Sequence, residues 1–133
     1  MDKVSFVVAK TEFYTWLEKY KGISAEKIDR KPDHKEAIET VAYAISDGTV
    51  TIDETGFITQ KLVTSEMDKV KELRFKPKIK AFELDKMKSF KDDNGKSRAM
   101  ISAITEESIG IINNLDSNDL ALSQTIAMFY YLP

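Results

Sequence analysis

The sequence predicts an α+β domain: N-terminal helices, a three-stranded antiparallel meander, and a C-terminal cluster of short helices. Three observations predict it. Apolar residues recur at the helical period after Asp33, then switch to a period of two over residues 49–76. The alternating run Glu72-Leu73-Arg74-Phe75-Lys76 stops at Pro77, which cannot donate to a strand ladder. Helical segments with matching entrances follow, and no Lys or Arg lies beyond Arg98. A single domain over residues 1–133 is expected, with a mainly helical part at 1–48, the meander at 49–76 and the helical cluster at 78–132. A chain of this length buries roughly two-thirds of its unfolded surface, enough to fold without staples.

Taken in order, Val4-Ser5-Phe6-Val7-Val8 reads as a strand or as a buried helical start. Thr11 precedes Phe13, Trp16, Leu17 and Tyr20, which share one helical face, and Gly22 stands where a left-handed cap stops a helix. A polar segment over 23–31 ends at Pro32. Asp33-His34-Lys35-Glu36 has the spacing of a capping box, and the helix it opens carries Ile38, Val41, Ala42 and Ile45 on one stripe as far as Asp47-Gly48.

Residues 49–53 and 57–63 alternate around the turn Asp53-Glu54-Thr55-Gly56, the pattern of a hairpin. Val50, Ile52, Ile58 and Leu62 mark its apolar face. A polar connection at 64–68 leads to a third strand at 70–76, with Leu73 and Phe75 inward. Residues 79–90 then read as a helix with Phe82, Met87 and Phe90 buried, followed by a loop over 91–96. Ile104-Thr105 before Ile109, and Leu115-Asp116 before Leu120, each place an apolar residue ahead of an N-cap and another at the fourth helical position. Three short helices are expected from them, at 98–104, 106–114 and 117–132.

Composition narrows the function. Without cysteine, disulfides and thiolate metal sites are excluded, which suits a reducing cytoplasm. No run approaches the ~18 apolar residues of a membrane span, and the start lacks a signal peptide's apolar region. A soluble cytoplasmic protein with no membrane partner is expected. Residues 66–98 carry 11 basic and 7 acidic side chains, whereas 99–133 carry 4 acidic and none basic. Such asymmetry fits self-complementary association into a homo-oligomer, or simply a solvated face.

No catalytic, cofactor-binding or metal-binding residue is nominated. His34, the single histidine, sits beside Asp33 and Lys35 with no partner nucleophile in sight. Asp116-Ser117-Asn118-Asp119 begins like a calcium loop, yet Ala121 and Met128 stand where that loop needs glycine and glutamate. No glycine-rich phosphate cradle is present. A non-enzymatic protein without cofactors is expected. Arg74, Lys76, Lys78 and Lys80 alternate near Phe75 and Phe82, as in a strand that tracks a phosphate backbone. Alternation puts Phe75 opposite the lysines, however, and lysines on a sheet edge also discourage unwanted pairing. The run Ile126–Pro133 is apolar nearly all round a helix, so it is either core or a docking surface.

The order Leu73-Arg74-Phe75-Lys76-Pro77-Lys78-Ile79, a helix, a polar loop, Met100-Ile101-Ser102-Ala103-Ile104-Thr105, then Ile112-Asn113-Asn114-Leu115-Asp116-Ser117-Asn118-Asp119, resembles the tail assembly chaperones of long-tailed bacteriophages. In that family a strand ending in Arg-x-Pro precedes a helix, a short helix ends in Leu/Ile-Thr, and a Leu-x-x-x-Asp element opens the last helix. Here Arg74-Phe75-Lys76-Pro77 carries one extra residue, and Leu115–Asp119 fits. The match spans about 57–132; residues 1–55 have no counterpart. The resemblance implies a non-enzymatic chaperone that binds and solubilises the long helical tape-measure protein during tail morphogenesis. Its groove candidates here are Ile109, Ile112, Leu120, Ile126, Phe129 and Tyr130. The alternatives are a polypeptide-binding adaptor or scaffold of other origin, or a weak single-stranded nucleic-acid module built on residues 74–80.

Overall fold

A computed structural model of the chain describes residues 4–24, 26–27, 31–62, 70–80, 82–83 and 92–130. Helix α1 (Phe6–Trp16) starts where the Ser5 hydroxyl accepts from the Val8 amide at 3.2 Å. The opening segment is therefore helical, and Thr11 lies inside the helix with its hydroxyl on the Val7 carbonyl. Ala9, Phe13 and Trp16 form the buried face, while Val7 and Val8 turn outward. The last turn widens into a π-helical stretch, Leu17–Lys21, and ends at Gly22 with φ 64°, as its glycine suggested.

Helix α2 (Pro32–Asp47) buries the expected stripe of Ile38, Val41, Ala42 and Ile45 and closes at Gly48 with φ 88°. The capping box does not form. Pro32 occupies the first helical position, where its fixed φ suits helix entry, so Asp33 falls within the first turn and Lys31 is left as a cap without an acceptor oxygen.

Strands β1 (Val50–Ile52), β2 (Ile58–Lys61) and β3 (Glu72–Phe75) pair antiparallel in the order β1-β2-β3, the expected meander. Register aligns Val50, Gln60 and Leu73 in one inward row and Ile52, Ile58 and Phe75 in the next. Thr51, Thr59 and Arg74 align on the opposite, open face. Asp53 shapes the hairpin turn by accepting from the Thr55 amide, the Thr55 hydroxyl and the Phe57 amide. Pro77 lies outside β3, as anticipated. The connection at 64–68 lies outside the described residues.

The helix expected over 79–90 is corrected at its start. Ile79 and Lys80 are not helical, Phe82 and Glu83 have 3₁₀ geometry, and Phe82 is 67% exposed. Glu83 accepts from the Lys80 amide at 3.1 Å, which fixes that turn locally. Met87 and Phe90 lie outside the described residues.

Helix α3 (Asp93–Thr105) begins earlier than expected, because Asp92 caps it by accepting from the Gly95 amide at 2.5 Å. The Asn94-Gly95 pair thus lies in the first turn, not in a loop. Thr105 ends α3 and caps nothing; Ser108 is the cap of α4 (Ile109–Asn113), accepting from the Ile111 amide. Thr105 has its hydroxyl on the Ile101 carbonyl, and Glu106 supplies the left-handed cap of α3 at φ 61°. Asp116 caps α5 (Ser117–Met128) as anticipated, accepting from the Asn118 amide at 3.0 Å. Each such cap contributes on the order of 1 kcal/mol.

One apolar cluster joins the parts: α1 packs on α2, α2 on β1 and α5, and α3 on β3, α4 and α5. Phe13 meets Phe129 edge to face at 5.1 Å, which seats the end of α5 against α1. Among the described residues no helix is long and apolar enough to cross a membrane.

Candidate functional site

Lys76 follows β3 and is held from both sides by backbone bonds. Its amide donates to the Ile104 carbonyl at 3.2 Å, and its carbonyl accepts from the Tyr130 hydroxyl. Position and direction of the side chain are thereby set by α3 and by the end of α5. The ammonium reaches Glu83 at 2.6 Å and Glu106 at 3.2 Å. Partial burial works against its charge, but the hydrogen bonds to Glu83 and Glu106 override it and raise its pKa above the ordinary lysine value. The bond from Lys76, then the one from the Lys80 amide, hold the Glu83 carboxyl below its usual range.

This triad forms one wall of a cleft of about 750 Å³ lined also by Phe82, Ala99, Ser102, Ala103, Glu107, Ser108 and Ile109. Ala99, Ser102 and Ala103 recur at i, i+3 and i+4 along α3 and form the floor of this cleft, each almost fully buried. Phe82 and Ile109 supply larger apolar surface, and Glu106 and Glu107 carry charge along the edge. The reversal from α3 to α4 is pinned by the Ser102 hydroxyl on the Glu107 carbonyl at 2.5 Å. A second cleft of about 340 Å³ lies across the same wall, between Phe57, Glu72, Arg74, Thr105 and Glu106.

The six groove candidates separate. Ile112, Ile126 and Phe129 are fully buried in the chain's own core and offer no free surface. Leu120 and Tyr130 are half-buried against that core. Ile109 alone of the six lines the larger cleft. The apolar run that begins at Ile126 is core in its described part, and residues 131–133 lie outside the described residues.

The four basic residues also separate. Arg74 lies on the open face, 4.6 Å over the Phe57 ring and 3.5 Å from Asp53. Lys76 is tied to two carboxylates, while Lys78 and Lys80 are exposed. Phe75 is buried and offers no stacking surface. The sequence reading passed over Glu83, Glu106 and the small residues of α3. Only the last had a signal, the helical spacing of Ala99, Ser102 and Ala103.

Compared with protein-family models, with curated proteins and with solved structures, the chain matches nothing.

Proposed function

We propose that this chain is a non-enzymatic assembly chaperone that covers the apolar stripe of a long helical client, in the manner that the phage tail assembly chaperones cover the tape-measure protein. The observation that carries this reading is the cleft beside α3, with Phe82 largely exposed at its edge. Its volume falls within the range of about 300–1,000 Å³ typical of binding sites. The accessible apolar surface of Phe82 and Ile109 suits a helix laid across it, whose i, i+3, i+4 and i+7 side chains rest against it.

Charge narrows the client. Among the lining residues Glu83, Glu106 and Glu107 outnumber the one cation, Lys76, so the cleft is net acidic. Lys76 is already neutralised by its carboxylates. The fitting client is an amphipathic helix with an apolar stripe flanked by Lys or Arg. Many such stripes along one rod would hold many copies, each weakly and so displaceably.

Co-expression tests this directly. A tape-measure-like client with repeated apolar stripes and basic flanks is expected to move from the insoluble to the soluble fraction and to co-purify with the chain. Continued insolubility, with no co-purification, would contradict the proposal.

A further inference from the structure

β3 is an edge strand, and the register fixes which of its backbone groups face outward. The Leu62 amide donates to the Lys71 carbonyl at 2.9 Å, whereas the Lys61 amide donates to Thr49, on the β1 side, at 2.8 Å. Hydrogen-bonded pairs recur at every second residue of an antiparallel ladder. Leu73 and Phe75 therefore turn their amides and carbonyls to β2, and Glu72 and Arg74 turn theirs away from it. Lys76 continues the outward series, and its amide is taken by the Ile104 carbonyl. Among the described residues no strand lies beyond β3, and no hydrogen bond reaches the outward groups of Glu72 or Arg74. Both residues are exposed, and the cleft of about 340 Å³ runs beside them.

Charge selects what pairs with this edge. Glu72 has no ion-pair partner among the described residues. Arg74, two positions on, carries the opposite charge, and its contact with Asp53 is long and solvent-exposed. An antiparallel copy of β3, turned about a two-fold axis beside Leu73, sets Glu72 opposite Arg74 of the second copy and Arg74 opposite its Glu72. Directly opposed residues share one face, so both crossings join unlike charges on the open face. The same register brings the outward amides of each copy to the outward carbonyls of the other. A helical client has no spare backbone groups for such an edge, because its own turns use them.

We propose that two copies of this chain pair antiparallel along β3, joining their three-stranded sheets into one continuous sheet. The contact is isologous and closes on itself, so it stops at a dimer. It is also short, because the Ile104 carbonyl ends the ladder at Lys76, and the dimer is accordingly weak and reversible.

Sedimentation equilibrium of the full chain, without client, tests this pairing. The native chain should show a monomer–dimer equilibrium between micromolar and millimolar concentration. Glu72→Arg and Arg74→Glu each set like charges at both crossings, so each should weaken the dimer at least about tenfold. An equal mixture of the two variants restores unlike charges at both crossings and should recover dimers of mixed composition. Both substitutions in one chain should restore self-association, which a folding defect would not do. A native chain that stays monomeric overturns the proposal, as does a dimer that either variant leaves intact. A mixture or a doubly substituted chain that stays monomeric overturns it as well.

Discussion

Gln60 gives both ends of its side-chain amide to the last helix: its Nε2 donates to the Asp119 carbonyl at 2.9 Å and its Oε1 accepts from the Ser123 hydroxyl at 2.6 Å. Gln60 and Ser123 are both fully buried, in the inward row of the sheet and on the facing side of α5. Strand and helix are thus fixed to one another by directional bonds as well as by packing, which sets where the end of α5 meets Lys76.

Ser123→Ala is expected to destabilise the chain by about 1–3 kcal/mol, because it leaves a buried acceptor without its donor. Gln60→Met in that background should recover part of the loss, giving a coupling of about 0.5–3 kcal/mol. Denaturant unfolding of the two single variants and the double variant checks this. Strict additivity would contradict the shared network.

Gly56 has φ 90°, and a Cβ there would come within 2.4 Å of the Tyr20 ring. Its carbonyl also accepts from the Trp16 indole at 2.8 Å, tying the hairpin to α1. Gly56→Ala should cost at least about 2 kcal/mol through backbone strain and displacement of the ring. Tyr20→Ala in the same chain removes the clash but not the strain, so the double variant should unfold at a higher temperature than the two losses added together require.

The Lys76–Glu83 pair gives stability a pH signature with two edges. Glu83 titrates below its usual range, so its contribution is present above the unfolded value of about 4.3 and is lost as pH falls through the folded one. Lys76 titrates above the ordinary value of about 10.4, so its contribution is lost as pH rises through the folded one. Melting temperatures of the native chain and of Glu83→Gln should therefore differ most between about pH 5 and 9 and converge towards both extremes. A difference independent of pH would contradict the pairing.

Helical and strand periods made much of this fold legible. Ile38, Val41, Ala42 and Ile45 sit on the face their spacing assigns, and Leu73 and Phe75 alternate inward as written. Gln60 was missed because it is polar at an inward position, although the alternation of Ile58 with Leu62 already placed it there. Helix starts were the weak point. Ser5, Asp92 and Ser108 each cap a helix, yet Thr11, the Asn94-Gly95 pair and Thr105 gave the more familiar local signals. The cleft was legible only in fragments, because Lys76, Glu83 and Glu106 meet through tertiary packing that no short-range spacing encodes.

Glu106 is the only non-glycine among the described residues at positive φ. Left-handed geometry costs a side-chain-bearing residue roughly 1–2 kcal/mol, whereas glycine loses about 0.5–1 kcal/mol of chain entropy on ordering. Its bond to Lys76 is exposed and contributes little. Glu106→Gly is therefore expected to stabilise the chain by up to about 1 kcal/mol while weakening capture of a basic-flanked client. Loss of stability in this variant would contradict the strain assigned to the α3 cap.

The most direct measurement is the affinity of a helical peptide with an apolar stripe and lysine flanks for the native chain, for Phe82→Ser and for Ile109→Asp. Phe82 is largely exposed and Ile109 opens a helix that tolerates an acidic first turn, so both variants should keep the native melting temperature. The expected result is saturable binding to the native chain, weakened at least about tenfold by either substitution and further reduced by salt. Equal affinity for all three proteins, or none for the native chain, would contradict the assignment of the cleft as the client's seat.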